Sequence, residues 1–151
     1  MTGPEITVAA SDMCFGCGKQ NPCGLKLEFT WDGKVARATF TTTELHQGWK
    51  GIIHGGILTS LLDEAMGYAA CYENVAGVTG AMETRFKRPV SIGEHLIITA
   101  WVGRKTKRFA ETEATLTLKD GTIVTAAKAK QYLSSETIIP INRVGRPTDD
   151  A

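Results

Sequence analysis

No charge of either sign dominates this chain: 17 lysines and arginines stand against 16 aspartates and glutamates, a formal net charge of +1. A chain so balanced sets up no overall cationic field, so nucleic acid is not expected as a partner. Long apolar runs are missing too. No window approaches the roughly 18 uninterrupted apolar residues that a membrane helix needs. Met1 to Asp12 has neither the basic region nor the continuous apolar stretch of a secretory leader. A cytoplasmic protein without membrane contact is therefore expected. Cysteine is scarce, with Cys14, Cys17 and Cys23 clustered in MCFGCGKQNPCGL and Cys71 alone in an apolar stretch. Without an export signal a disulfide framework is not expected. Cys14 and Cys17 have the spacing of a zinc half-site. No second Cys-x2-Cys or His-x3-His pair follows, however, so Cys23 and the distant His46 would have to complete it. The favoured reading is small buried thiols in a glycine-rich turn, with no metal.

What is present is enough apolar residue, 42% of 151, to build one core, and the chain is too short for two domains. A single domain over residues 1–151 is expected. Residues 1–23, broken by Gly16, Gly18 and Pro22, read as an irregular lead-in. Leu25 to Trp31 alternates apolar and polar as a half-buried strand does, and Asp32-Gly33 is a hairpin signal leading into a second strand, Lys34 to about Thr42. A loop from Glu44 to Ile53 follows. From Gly55 to Tyr72, Leu58, Leu61, Leu62, Ala65, Met66 and Ala69 recur at three- and four-residue spacing, which predicts the one long helix. The pattern then reverts to strands over Val78–Lys87, Glu94–Gly103, Arg108–Lys119 and Ile123–Leu133, with a second hairpin signal at Asp120-Gly121. The polar segment 134–151 reads as a loosely packed tail. Two strands, a helix and four antiparallel strands describe an α+β fold in which a curved sheet wraps one helix. Its open edges and half-covered helix argue for a homo-oligomer.

The chemistry concentrates in HGGILTSLLDEAMGYAA. Gly55 and Gly56 at a helix start leave backbone N–H groups unpaired and unshielded, where the helix dipole adds partial positive charge. Such an end can polarise a carbonyl and stabilise an oxyanion. The glycines equally suit a tight loop-to-helix entry, and the residues alone do not choose. Asp63 lies seven residues after Gly56, nearly two turns on, and shares a face with Thr59, Gly67 and Ala70. A carboxylate on a face of small residues can act as general base or nucleophile; otherwise it is an exposed helix acid, as expected for neighbouring Glu64. His54 can hold a substrate carbonyl or cap the helix. Gln47 in the preceding loop can position water or a thioester oxygen, and Trp49 can form core or pocket wall. In VTGAMETRFKRPV, period-2 alternation puts Thr79, Ala81, Glu83, Arg85 and Lys87 on one face, with Arg88 just beyond. Arg104 opens a second basic cluster. Cations at strand ends suit phosphate recognition, although for Lys105 and Lys107 a solvated turn is preferred.

The run HQGWKGIIHGGILTSLLDEAMG, followed by VTGAMETRFKRPVSIGEHLIITAWVGR and preceded by CFGCGKQNPCGLKLEF, resembles the PaaI-like hotdog thioesterases, including acyl-CoA thioesterases of the THEM type. The resemblance spans about residues 14 to 133. It implies a hotdog fold with active sites shared between subunits of a dimer or a dimer of dimers. The implied activity is hydrolysis of an acyl-CoA, with coenzyme A as part of the substrate and no separate cofactor. It also implies Asp63 as the catalytic acid, His54 and Gly55 at the thioester carbonyl, and Gly56 completing the HGG. Thr79 would be supplied from a partner chain, and Arg85 and Lys87 would contact coenzyme A phosphates. Many relatives carry Asn before HGG where this chain has Gln47 and Gly48. Two alternatives stand beside this reading. A hydratase or dehydratase acting on enoyl or hydroxyacyl thioesters would need an HFPG-like loop that is not found, and a non-catalytic acyl-CoA-binding protein would bind without turnover.

Overall fold

The computed structural model describes residues 10–75 and 77–133. Most of the lead-in and all of the expected strands fall within them; the polar tail lies outside. The first paired strand is short, β1 (Thr30–Trp31), followed by β2 (Val35–Thr41), a 3-10 turn at Glu44–His46 and the helix α1 (Gly55–Tyr72). Four strands complete the described residues: β3 (Gly77–Phe86), β4 (His95–Lys105), β5 (Phe109–Thr117) and β6 (Ile123–Leu133). All pair antiparallel in one sheet of order β1-β2-β4-β5-β6-β3. The helix packs against β4, β5, β6, β2 and β3. This is the hotdog arrangement expected from the sequence.

The helix begins where its cap allows. His54 is extended (φ −61, ψ 132) and its ring accepts the Gly56 N–H. The helix ends because Asn74 adopts a left-handed φ of 62, which lets the N–H groups of Val75 and Asn74 turn back onto the carbonyls of Ala70 and Cys71. Leu58, Leu61, Leu62, Ala65, Met66 and Ala69 are buried against the sheet. The sheet meets them with a largely small-residue floor, Ala36, Ala38, Ala100, Ala114, Ala127 and Ala129, so the helix can lie close. On the outer face of the sheet, Glu113 lies opposite Lys128 and Glu111 opposite Lys130 across β5 and β6, with ion pairs of 3.5 and 3.9 Å.

Two expectations need correction. Leu25, Leu27 and Phe29 are buried as the alternation predicted, yet the ladder holds only Thr30 and Trp31. Lys26 sits at φ 53, and Leu25 and Leu27 donate their N–H groups to Phe15 and Gly16. The lead-in therefore takes the hydrogen bonds that a longer β1 would have used. In β3, the register with β6 shifts between Thr79 and Ala81, a bulge at Gly80. Thr79 pairs with buried Gln131, whereas Ala81 pairs with Lys130, Glu83 with Lys128 and Arg85 with Ala126. Directly paired residues share a face, so Thr79 turns toward the helix side while Ala81, Glu83 and Arg85 turn outward. The single face expected from hydroxyl to cations does not exist.

Candidate active site

The structure brings the candidate residues together in two groups along the helix. At its start, Gln47, Gly48, Trp49, Ile53, His54 and Gly55 line a cleft of about 530 Å³. One of the two glycine N–H groups there is already used: Gly56 donates to His54 Nδ1 at 2.8 Å. A Cβ on Gly56 would come within 2.9 Å of that nitrogen, which is why glycine stands here. The neutral ring that accepts at Nδ1 carries its proton on Nε2 and can donate from there. The Gly55 N–H has no partner among the described residues. It is the one first-turn donor left open, on the positive end of an 18-residue helix. Gln47 faces the same cleft, but its side-chain oxygen accepts the Gly51 N–H at 3.2 Å and so closes the loop. Trp49 is 85% exposed and is no part of the core.

The second group lies two turns further on. Thr79 Oγ1 donates to Asp63 Oδ1 at 2.7 Å, the usual length of a well-formed O–H···O hydrogen bond. This pairing is within one chain and corrects the expectation that Thr79 reaches Asp63 from a partner. The bulge at Gly80 makes it feasible, since it is what turns Thr79 to the helix side. Around Asp63 the helix face is open: Gly56 is exposed, Thr59 and Gly67 are partly exposed, and a Cβ on Gly67 would meet nothing within 4 Å. Ala70 departs from the expected face, for it is buried with Val75 and Ala110.

The basic candidates are mostly committed elsewhere. Arg85 pairs with Glu83 at 3.0 Å and Arg88 with Glu94 at 2.9 Å. Arg104 pairs with Glu111 at 3.5 Å and lies over the Phe109 ring. Lys87, exposed, has no ion pair among the described residues. Arg85 and Lys87 are not on the face that carries Thr79, so their expected grouping with it is not observed. Sequence reasoning also placed Glu64 in solvent, and this is overturned. Glu64 is largely buried beneath the lead-in, where desolvation holds its carboxyl above the usual carboxylate range, and Cys14 Sγ approaches Oε1 at 3.6 Å. The Cys-x2-Cys spacing was the visible signal; nothing local linked it to Glu64.

A family model described as the thioesterase superfamily matches residues 50–125, a span that covers the HGG segment, Asp63, Thr79 and the basic candidates. The chain belongs to the thioesterase superfamily. No curated protein sequence matches it. Among solved structures, a thioesterase superfamily protein shares 25% identity at a TM-score of 0.75, over 80% of this chain and 60% of that one. The chain thus spans about three fifths of that relative's length. The PaaI protein of E. coli, from the phenylacetic acid degradation operon, shares 28% identity at a TM-score of 0.67, over 72% of this chain and 83% of that one. A hypothetical thioesterase of Streptococcus pneumoniae, solved with coenzyme A, shares 18% identity at a TM-score of 0.68, over 74% and 87% of the two chains. The PaaI-like resemblance read from the sequence is borne out. No helix among the described residues is long and apolar enough to cross a membrane.

Proposed function

We propose that this protein hydrolyses the thioester of an acyl-CoA to the free acid and coenzyme A. The observation that carries the reading is the Thr79–Asp63 hydrogen bond on an open helix face, in a chain whose Gly55 N–H is unpaired among the described residues at the start of the same helix. Membership of the thioesterase superfamily and the streptococcal structure with coenzyme A support the choice of substrate class.

Eight residues separate Gly55 from Asp63, roughly 12 Å along the axis at about 1.5 Å per residue. Strand β3 runs back beside that gap, with Thr79 at Asp63 and the Phe86 ring about 3.4 Å from where a Gly55 Cβ would stand. A reacting carbonyl needs its oxygen about 3 Å from the donor and its carbon about 3–3.5 Å from the nucleophile. Gly55 and Asp63 of one chain therefore serve different thioesters. A complete site takes Gly55 from one chain and Asp63 with Thr79 from the partner subunit. Strand β3 is suited to bring two copies together: it is a ten-residue edge strand with no fully buried residue, and Val78 and Phe86 are exposed along it.

In this site the thioester oxygen accepts the Gly55 N–H, and the imidazole Nε2–H of His54 lies at the same end to orient the thioester. Asp63, held by Thr79 through Oδ1, uses its other oxygen to take a proton from water as that water attacks the carbonyl carbon. The C–S bond breaks as the tetrahedral oxyanion collapses, and the proton passes to the departing thiolate. Direct attack by Asp63 would instead give an acyl-enzyme anhydride; label found in the aspartate after a single turnover in 18O-labelled water would establish that route, because the general-base route exchanges no carboxylate oxygen. The decisive assay measures release of free thiol from short, long and aromatic acyl-CoAs. Wild type should turn over and Asp63→Asn should lose activity by at least about a thousand-fold while keeping its oligomeric state. Turnover by Asp63→Asn at the wild-type rate would remove the catalytic assignment. Tight acyl-CoA binding by an inactive wild type would point to a binding protein, and addition of water to an enoyl-CoA to a hydratase.

A further inference from the structure

One cluster of reactive side chains plays no part in that chemistry. Cys14 and Cys17 of the lead-in and Glu64 of α1 each offer a ligand atom, and these three atoms lie within 4.8 Å of one another. The Cys14 Sγ to Glu64 Oε1 distance is 3.6 Å. With zinc–sulfur bonds of about 2.3 Å, zinc–oxygen bonds of about 2.1 Å and tetrahedral angles, sulfur and oxygen ligands stand about 3.6 Å apart. That pair thus stands at the spacing a zinc ion requires, and the other two pairs lie within 4.8 Å.

The surroundings suit a cation. Glu64 is a largely buried carboxylate with no lysine, arginine or histidine pairing with it among the described residues. Buried carboxylates are ordinarily paired or bound to metal; this one is met only by two thiols. The turn that presents the thiols is built for close approach. Cys-x-x-Cys-Gly closes on itself through a 2.8 Å bond from the Gly18 N–H to the Cys14 carbonyl. A Cβ on Gly18 would lie 2.4 Å from the Asp12 carbonyl oxygen and from the Cys14 nitrogen. A Cβ on Gly16 would lie 2.4 Å from the Glu64 carboxyl carbon, so the loop backbone presses directly against that side chain. Tyr68, buried one helical turn beyond Glu64 and stacked on Phe29, has its hydroxyl close to Cys17. Such an outer donor orients a metal-bound thiolate.

We propose that Cys14, Cys17 and Glu64 form a binding site for a divalent zinc ion, with water as the fourth ligand. Two soft sulfurs and one carboxylate oxygen in a tetrahedral arrangement select zinc over magnesium or calcium, which prefer six or more oxygens. Binding releases the thiol protons and ties the lead-in to the middle of α1. The site is independent of acyl-CoA turnover and is tested without it. Tag-free full-length protein, reduced and freed of metal, is titrated with zinc against a chromophoric chelator and, separately, with cobalt. One ion per chain is expected, and cobalt should give the near-ultraviolet absorption of thiolate-to-cobalt charge transfer. Cys14→Ser and Cys17→Ser should weaken zinc by on the order of a hundred-fold or more and reduce that absorption, and Glu64→Gln should weaken zinc about ten-fold or more while retaining it. Cys23→Ser and Cys71→Ser should bind as wild type does. Failure of wild type to hold one zinc, cobalt bound without the thiolate absorption, or unchanged affinity in both Cys14→Ser and Cys17→Ser would each overturn the site. The wild-type cobalt spectrum decides the matter even where a variant does not fold.

Discussion

Replacing Gly55 by proline isolates a single backbone hydrogen. Gly55 is the first residue of α1, the position at which proline is best tolerated because its missing N–H has no helical partner. His54 before it is extended, at φ −61 and ψ 132, as a residue preceding proline must be. A side-chain carbon at this position would meet the Phe86 ring at 3.4 Å, an ordinary contact, and Phe86 is half exposed and can yield. The fold should therefore hold, and the lost unfolded-state freedom stabilises by about 0.4–1 kcal/mol. What disappears is the donor to the oxyanion. Loss of one such donor costs about 3–4 kcal/mol in the transition state, a fall of about 100- to 1,000-fold in kcat with KM little changed. Steady-state hydrolysis of an acyl-CoA, alongside thermal unfolding, reads both effects. Co-expression of Gly55→Pro with Asp63→Asn then asks where the two halves of a site come from. If each site draws Gly55 from one chain and Asp63 from the other, a mixed dimer carries one intact site and one doubly defective site. Random pairing makes about half the dimers mixed, so about a quarter of wild-type activity should return. Gly55→Pro with near wild-type kcat would remove the N–H from the mechanism. Two inactive variants that stay inactive when co-expressed would refute the shared site.

Other outcomes follow from the same geometry. Thr79→Val removes the 2.7 Å bond to Asp63 from an exposed position; kcat should fall about ten-fold or more, by about 1.5–3 kcal/mol, with little change in unfolding temperature. Gly80→Ala puts a Cβ 2.3 Å from the Tyr132 ring at the bulge that turns Thr79 inward. It should cost about 1–3 kcal/mol of stability by denaturant unfolding and lower kcat as well, and Tyr132→Ala should restore part of both. His46 is held below its ordinary value of 6.5 by burial, so the folded state favours the neutral ring and the unfolded chain takes up the proton first. Its contribution to stability is complete above about pH 6.5 and declines as the pH falls through that value. Unfolding measured between about pH 7 and pH 5 should show a shallower slope in His46→Gln than in wild type.

Short-range rules sufficed for much of this protein. The three- and four-residue recurrence of Leu58, Leu61, Leu62, Ala65, Met66 and Ala69 located α1, because a helix repeats its own geometry and needs no distant partner. Ile123–Leu133 was likewise readable as a strand from alternation. The HGG segment and Asp63 could be singled out because a helix start and a residue two turns along are related by helical geometry alone. Everything decided by a second segment lay beyond that reach. Thr79 faces Asp63 because the β3–β6 register slips at Gly80, and a strand carries no local record of a bulge that its neighbour imposes. Arg88 and Arg104 resemble phosphate ligands in sequence, but their pairing with Glu94 and Glu111 is fixed by how the chain folds back. Glu64 is one residue from Asp63 and about 100° around the helix from it. Which of the two meets solvent was settled only when the lead-in folded over α1 and brought Cys14 and Cys17 against Glu64, since burial belongs to the packed whole and not to any stretch of chain.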